Sequence, residues 1–294
     1  MSFLCFRPYD FQQLLKDISK LNNNYSFVHV YEIGKSVEGR PIWEIKIGEG
    51  ERKVHFNGSF HANEWITSSA LMSFVKEYAE AVDQDGEIEG VSSQFLFSET
   101  ALSIVPMVNP DGVELVINGP SKANAQQVMA MNHGLTDFSG WKANIRGVDL
   151  NNQYPVGWEI EKERKLPKSP AARDYPGDRP LSEPEAIVMA ELQMREQFDR
   201  VLAFHTQGAE FYWGYNNKEP EESKQLAERF ERVSGYEAVH FIDSHAGFKD
   251  WFIQEYERPG FTIELGKGCN PLPLTQLAAV YEATRSICIA ALLK

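Results

Sequence analysis

Apolar and polar positions alternate with a period of two through residues 31–47, on both sides of Glu38 and Gly39. That is the pattern of a half-buried hairpin with a glycine turn. Residues 53–60 (KVHFNGSF) read as a strand that ends at His61. The period then changes: Ile66, Ala70, Leu71, Phe74, Val75 and Tyr78 recur at helical spacing and predict a helix over 65–81. Phe11, Leu14, Leu15 and Ile18 lie on one face of a short amphipathic helix near the start. The unbroken apolar run 101–108 (ALSIVPMV) reads as a buried strand stopped by a strong turn at Asn109, Pro110, Asp111 and Gly112.

Residues 118–179 lack periodicity and are rich in Gly, Pro and Asn, so they read as long functional loops. Ser182 and Glu185 form a capping box for a helix reaching about residue 198. Residues 200–204 (RVLAF) are a buried strand ending at His205, and 260–265 (GFTIEL) a strand carrying Glu264. Helices are expected over 221–234 and 274–293. Strands alternating with helices imply an α/β fold: a single α/β/α sandwich around a mixed, largely parallel sheet. We divide the chain into an N-terminal helical extension, 1–30, packed on a catalytic domain, 31–294.

Composition narrows the function classes. The 294 residues are 43% hydrophobic and 24% charged, enough for a sizeable core without staples. Acidic residues outnumber basic ones 42 to 29, for a net charge of −13, which disfavours nucleic acid as a partner. The first residues lack a basic stretch followed by a long apolar one, and no apolar run reaches the length of a membrane span. The three cysteines, Cys5, Cys269 and Cys288, are far apart and form neither a disulfide framework nor a metal cluster. The expectation is a reduced, cytoplasmic protein without a membrane partner.

Three candidate chemical groups sit at or near the C-terminal ends of expected strands, where open α/β sheets place their sites. His61 and Glu64 are three apart where a strand gives way to a helix, so both can turn to one point. His205 ends the strand RVLAF. Two His and one Glu make a catalytic zinc ligand set with a position left for water; carboxypeptidase A is a known example of such a set. Glu264 lies inside an apolar strand, where a carboxylate is costly unless paired or used. Desolvation raises its pKa, which suits a group that takes and returns a proton.

In order and combination, these pieces resemble the carboxypeptidase A superfamily of zinc metallopeptidases from about residue 31 onward. The matching segments are IGKSVEGRPI at 33–42, HANE at 61–64, NPDG at 109–112, GVDLN at 147–151, SEPE at 182–185, His205, DW at 250–251 and TIEL at 262–265. The resemblance implies one zinc held by His61, Glu64 and His205, with Asp149 behind a zinc histidine and Glu264 as general base. The oxyanion-stabilising arginine of the family aligns with Lys142, and Arg146 is an alternative source of that charge.

The departures are informative. The family's carboxylate-binding Asn-Arg pair corresponds to Asn151 and Asn152 here, without the arginine. Its mobile tyrosine has no counterpart; Ile242 or Asp243 stands there. The position at the base of the pocket is Lys249. These departures, with the segments HANEWIT, WKANIRGVDLNNQYP and GFKDWF, are similar to the bacterial γ-D-glutamyl–diamino-acid peptidases, which act on peptidoglycan stem peptides. The expected substrate is such a peptide, met by Asn151, Asn152 and Lys249, with Asp243 facing a distal amine. The rival readings are a conventional metallocarboxypeptidase, a small N-acyl amino acid deacylase and a non-catalytic peptide binder.

Overall fold

The computed structural model describes residues 3–294. Eight strands form one sheet: β1 (His29–Lys35), β2 (Pro41–Ile47), β3 (Arg52–Gly58), β4 (Thr100–Val105), β5 (Arg200–His205), β6 (Glu210–Tyr212), β7 (Glu237–Val239) and β8 (Gly260–Glu264). Their spatial order is β1-β2-β4-β3-β5-β8-β6-β7. The four central strands β4, β3, β5 and β8 run parallel. The β1–β2 hairpin joins antiparallel at one side, and β6 joins β8 antiparallel at the other.

Alternation along the central strands builds two cores. Leu202 and Phe204 of β5 pack with Val54 and Phe56 of β3 against the helices Ile66–Asp83, Glu221–Ser234 and Leu277–Leu292. Val201 and Ala203 point the other way, toward Ala186, Met189 and Ala190 of the helix Pro184–Glu196 and Phe248 and Phe252 of the helix Phe248–Tyr256. Because successive side chains leave opposite faces of a strand, a sheet apolar on both faces must be covered on both. The result is the three-layered α/β/α arrangement expected from the sequence.

The helix Phe11–Asn24 starts at Asp10, whose side chain accepts from the Gln13 amide, and it buries Phe11, Leu14 and Ile18 in the first core. Among the described residues no helix is long and apolar enough to cross a membrane. All three cysteines are free thiols.

Two local expectations need correction. Residues 109–112 do not make a free turn. They open the helix Pro110–Asn118, with Asn109 as N-cap accepting from the Gly112 amide and Pro110 in the first turn, where its missing N–H costs nothing. Nor does Ser182 cap the helix after it. The N-cap is Glu183, the Ser182 hydroxyl turns to Gln153, and Glu185 is buried against Asn144 and the Val37 amide.

Candidate active site

Three strand ends deliver the central side chains. After β3 the chain turns into the short helix Ala62–Glu64, which presents His61 and Glu64. His205 is the last residue of β5, and Glu264 of β8; the two are register partners on neighbouring parallel strands. Segments far apart in sequence lock this geometry. The Ala62 amide donates to the Lys142 carbonyl at 3.0 Å, and the Asn109 side chain donates to the carbonyls of Phe60 and Ala143 at 3.1 Å each. Gly112 sits so close that a Cβ would stand 2.7 Å from the Ala143 oxygen. Asp111 accepts from Ser36 at 2.7 Å and from Arg40 at 2.6 Å, which ties the β1–β2 turn to the same platform.

The donors converge. His61 Nδ1 lies 2.8 Å from Glu64 Oε1, His205 Nδ1 lies 3.0 Å from Glu64 Oε2, and the two Nδ1 atoms are 3.2 Å apart. Nitrogens on a tetrahedral zinc at ordinary bond lengths stand about 3.3 Å from each other, so the donor set fits a zinc ion by spacing as well as chemistry. Behind it, Asp149 Oδ1 takes His61 Nε2 at 3.2 Å, which fixes the tautomer that leaves Nδ1 free to ligate. Asp149 Oδ2 faces Lys142 Nζ at 3.6 Å. Asn270, from the loop after β8, places its amide nitrogen 3.4 Å from Glu64 Oε1 and 2.9 Å from the Thr206 carbonyl.

The electrostatics follow from burial and neighbours. Burial alone would lower His61, but the Glu64 and Asp149 carboxylates on either side overturn it and raise the imidazole to about 9. Glu64 is driven the other way: burial opposes its charge, yet His61 and His205 hold it well below the usual carboxylate range. His205 is lowered, first by burial. Loss of water around Glu264, then the nearby Glu64 charge, push its carboxyl up to about 8.

These groups open on a cleft of about 200 Å³ lined by His61, Lys142, Asp149, Asn151, Asn152, Lys249 and Glu264. Two sequence candidates stay outside it. Arg146 points to solvent with half its side chain exposed and faces Glu183 at 3.6 Å. Asp243 is 77% exposed, pairs with Arg164 at 3.0 Å and does not line the cleft, although its neighbours Ile242 and Ser244 do. Lys249 is in the cleft, but its charge is already met: Nζ lies 2.5 Å from Asp250 Oδ1 and donates to the Gly214 carbonyl at 3.1 Å. Its burial therefore calls for no anionic substrate group.

The sequence reading missed Asn270, Tyr212 and Lys165 and gave no role to Asp250, all of them at the ligands or on the cleft wall. Lys165 ends the charged run EKERK, which looks like a solvated helix end. Tyr212 belongs to a three-residue strand too short to show a period.

The zinc carboxypeptidase family profile matches residues 14–286. A γ-D-glutamyl-L-diamino acid endopeptidase 1 of Lysinibacillus sphaericus is 50% identical over 286 residues, covering 97% of this chain and 72% of that protein. An uncharacterized Bacillus subtilis protein is 51% identical over 95% of this chain and 76% of its own length. The solved carboxypeptidase A of Helicoverpa armigera shares the fold at a TM-score of 0.71 and 19% identity, covering 99% of this chain and 75% of that one. With a matched zinc donor set on the strand ends of that fold, the chain belongs to the zinc carboxypeptidase family and is a zinc metallopeptidase.

Proposed function

We propose that this enzyme hydrolyses the amide between γ-D-glutamate and a diamino acid in peptidoglycan stem peptides. The observation that carries this reading is the 50% identity, over nearly the whole chain, to an endopeptidase named for that bond. The cleft supports it: where a conventional carboxypeptidase needs a cation for the terminal carboxylate, Asn151 and Asn152 offer neutral amides, and Asn151 Oδ1 is occupied by the Phe248 amide at 3.2 Å. Both features weigh against an ordinary protein carboxypeptidase.

His61, Glu64 and His205 would hold zinc, which when bound polarises the scissile carbonyl and lowers the pKa of water. Glu264 lines the cleft beside His205 and takes the proton of the attacking water, then returns it to the leaving amine. Lys142, anchored by Asp149, donates to the oxygen that becomes negative, a role worth roughly 3–4 kcal/mol in comparable sites. The work of Asp149 is positional: it orients His61 and sets the Lys142 ammonium in place. We assign the enzyme to the cytoplasm and to turnover of wall peptides.

Mass spectrometry of digests of L-Ala-γ-D-Glu-meso-diaminopimelate beside an all-L, α-linked acidic peptide tests the proposal. The reading expects free diaminopimelate and an L-Ala-γ-D-Glu fragment from the first and slow or no cleavage of the second. The reverse preference would restore the carboxypeptidase reading.

A further inference from the structure

One wall of the cleft is a loop that is held from behind. Ile242 and Ser244 line the cleft, while Asp243 and His245, which alternate with them, engage the helix Trp158–Arg164. Arg164 Nη2 donates to the Asp243 carbonyl at 2.8 Å, and its Nη1 lies 3.0 Å from Asp243 Oδ1. Glu161 Oε1 accepts from the His245 amide at 2.6 Å. The two holding side chains also hold each other. Arg164 Nε and Nη2 donate to Glu161 Oε2 and Oε1 at 2.9 and 2.5 Å, a fork-on-fork pair between residues one helical turn apart. Glu161 is fully buried, where a carboxylate is costly unless it is paired and hydrogen-bonded in this way. The grip continues along the loop. The Tyr215 hydroxyl meets His245 Nδ1 at 2.7 Å, the Ala246 amide donates to the Val156 carbonyl at 2.8 Å, and the Ala246 carbonyl accepts from the Tyr154 amide at 3.0 Å. Neither Glu161 nor Arg164 lines the cleft.

We propose that Glu161 and Arg164 are positioning residues that set the wall carrying Ile242 and Ser244 before substrate arrives. The cleft then binds as a pre-formed surface and not by closure of a loop. A wall fixed in advance spares the cost of ordering it on binding, so its release weakens binding and leaves the chemical step alone. The inference takes this cleft as the substrate site and to that extent rests on the function proposed above. The rigidity of the wall is independent of it.

Hydrogen exchange of the zinc-loaded protein, with steady-state kinetics on L-Ala-γ-D-Glu-meso-diaminopimelate, tests the proposal. In the wild type the His245 and Ala246 amides should be protected without substrate. Arg164→Met should speed their exchange and raise KM, each about tenfold, with kcat and zinc content unchanged. Arg164→Lys keeps the charge but not the fork and should fall between. Asp243→Ala alters only an exposed side chain and leaves the carbonyl contact, so it should shift exchange and KM in the same direction by less. Free exchange of these amides in the wild type, or an Arg164→Met loss that falls in kcat with KM unmoved, would overturn the proposal. Should Arg164→Met fail to fold, Asp243→Ala decides: unaltered exchange and KM there would overturn it as well. A wild type inert on this peptide removes the substrate reading, and the exchange comparison still decides whether the wall is pre-set.

Discussion

Glu264 is the last residue of β8, in register with His205, and lines the cleft, the place proposed for the general base. Glu264→Gln keeps the shape and loses only the ability to accept a proton. It should bind zinc as the wild type does while kcat falls by about 10²–10⁴; metal analysis together with steady-state kinetics checks both, and near-normal turnover would remove Glu264 from the role. The structure also separates Lys142 from Arg146, which the sequence left open. Lys142 lines the cleft against Asp149, whereas Arg146 is exposed against Glu183. Lys142→Met is expected to lower kcat by about 10²–10³, the usual loss for an oxyanion donor. Arg146→Met is expected to leave kcat unchanged, and a large loss there would reverse the assignment. Asp149→Asn disturbs the partner of His61, so competition with a chelator should show zinc held about 10–100-fold more weakly.

At the scale of elements, legibility tracked burial and period. Glu221–Ser234 shows its helix plainly, with Leu226, Ala227 and Phe230 buried on one face and polar residues elsewhere. The central strands are visible because they are apolar on both faces. The strands Glu210–Tyr212 and Glu237–Val239 are too short to display alternation, and the helix Trp158–Arg164 is mostly charged, so only its packing reveals it. The zinc ligands were legible because each ends or follows a readable strand. The pairing of Lys249 with its own neighbour Asp250 was not, since the sequence does not say which way two adjacent side chains on a helix turn. The misplaced capping box has a measurable consequence. Burial pushes the Glu185 carboxyl up to about 7 from its ordinary 4.5, despite hydrogen bonds from its own backbone, the Val37 amide and Asn144. The folded chain thus holds this proton more tightly than the unfolded one. The associated stability is fully present below pH 4.5 and is lost as the pH rises through about 7. Denaturant titrations at pH 5 and pH 8 should show Glu185→Gln gaining about 2.5 kcal/mol relative to wild type over that interval. A constant difference between the two proteins would mean that folding leaves the Glu185 pKa at its ordinary value.

At the scale of the whole molecule, β3, β5 and β8 end on one edge of the sheet, and the loops after β4 and around residues 142–152 close over it. The cleft gathers three lysines, Lys142, Lys165 and Lys249, against Asp149, Asp250 and Glu264. Hydrolysis in this cleft is expected to depend on a single zinc. The direct measurement is a zinc titration of the metal-stripped enzyme, followed by initial rates on L-Ala-γ-D-Glu-meso-diaminopimelate. The account predicts a rate that rises linearly and breaks at one equivalent in the wild type, with no zinc-dependent rate in His205→Ala. Hydrolysis of that bond by the metal-stripped protein, or a zinc-dependent rate that survives in His205→Ala, would contradict it.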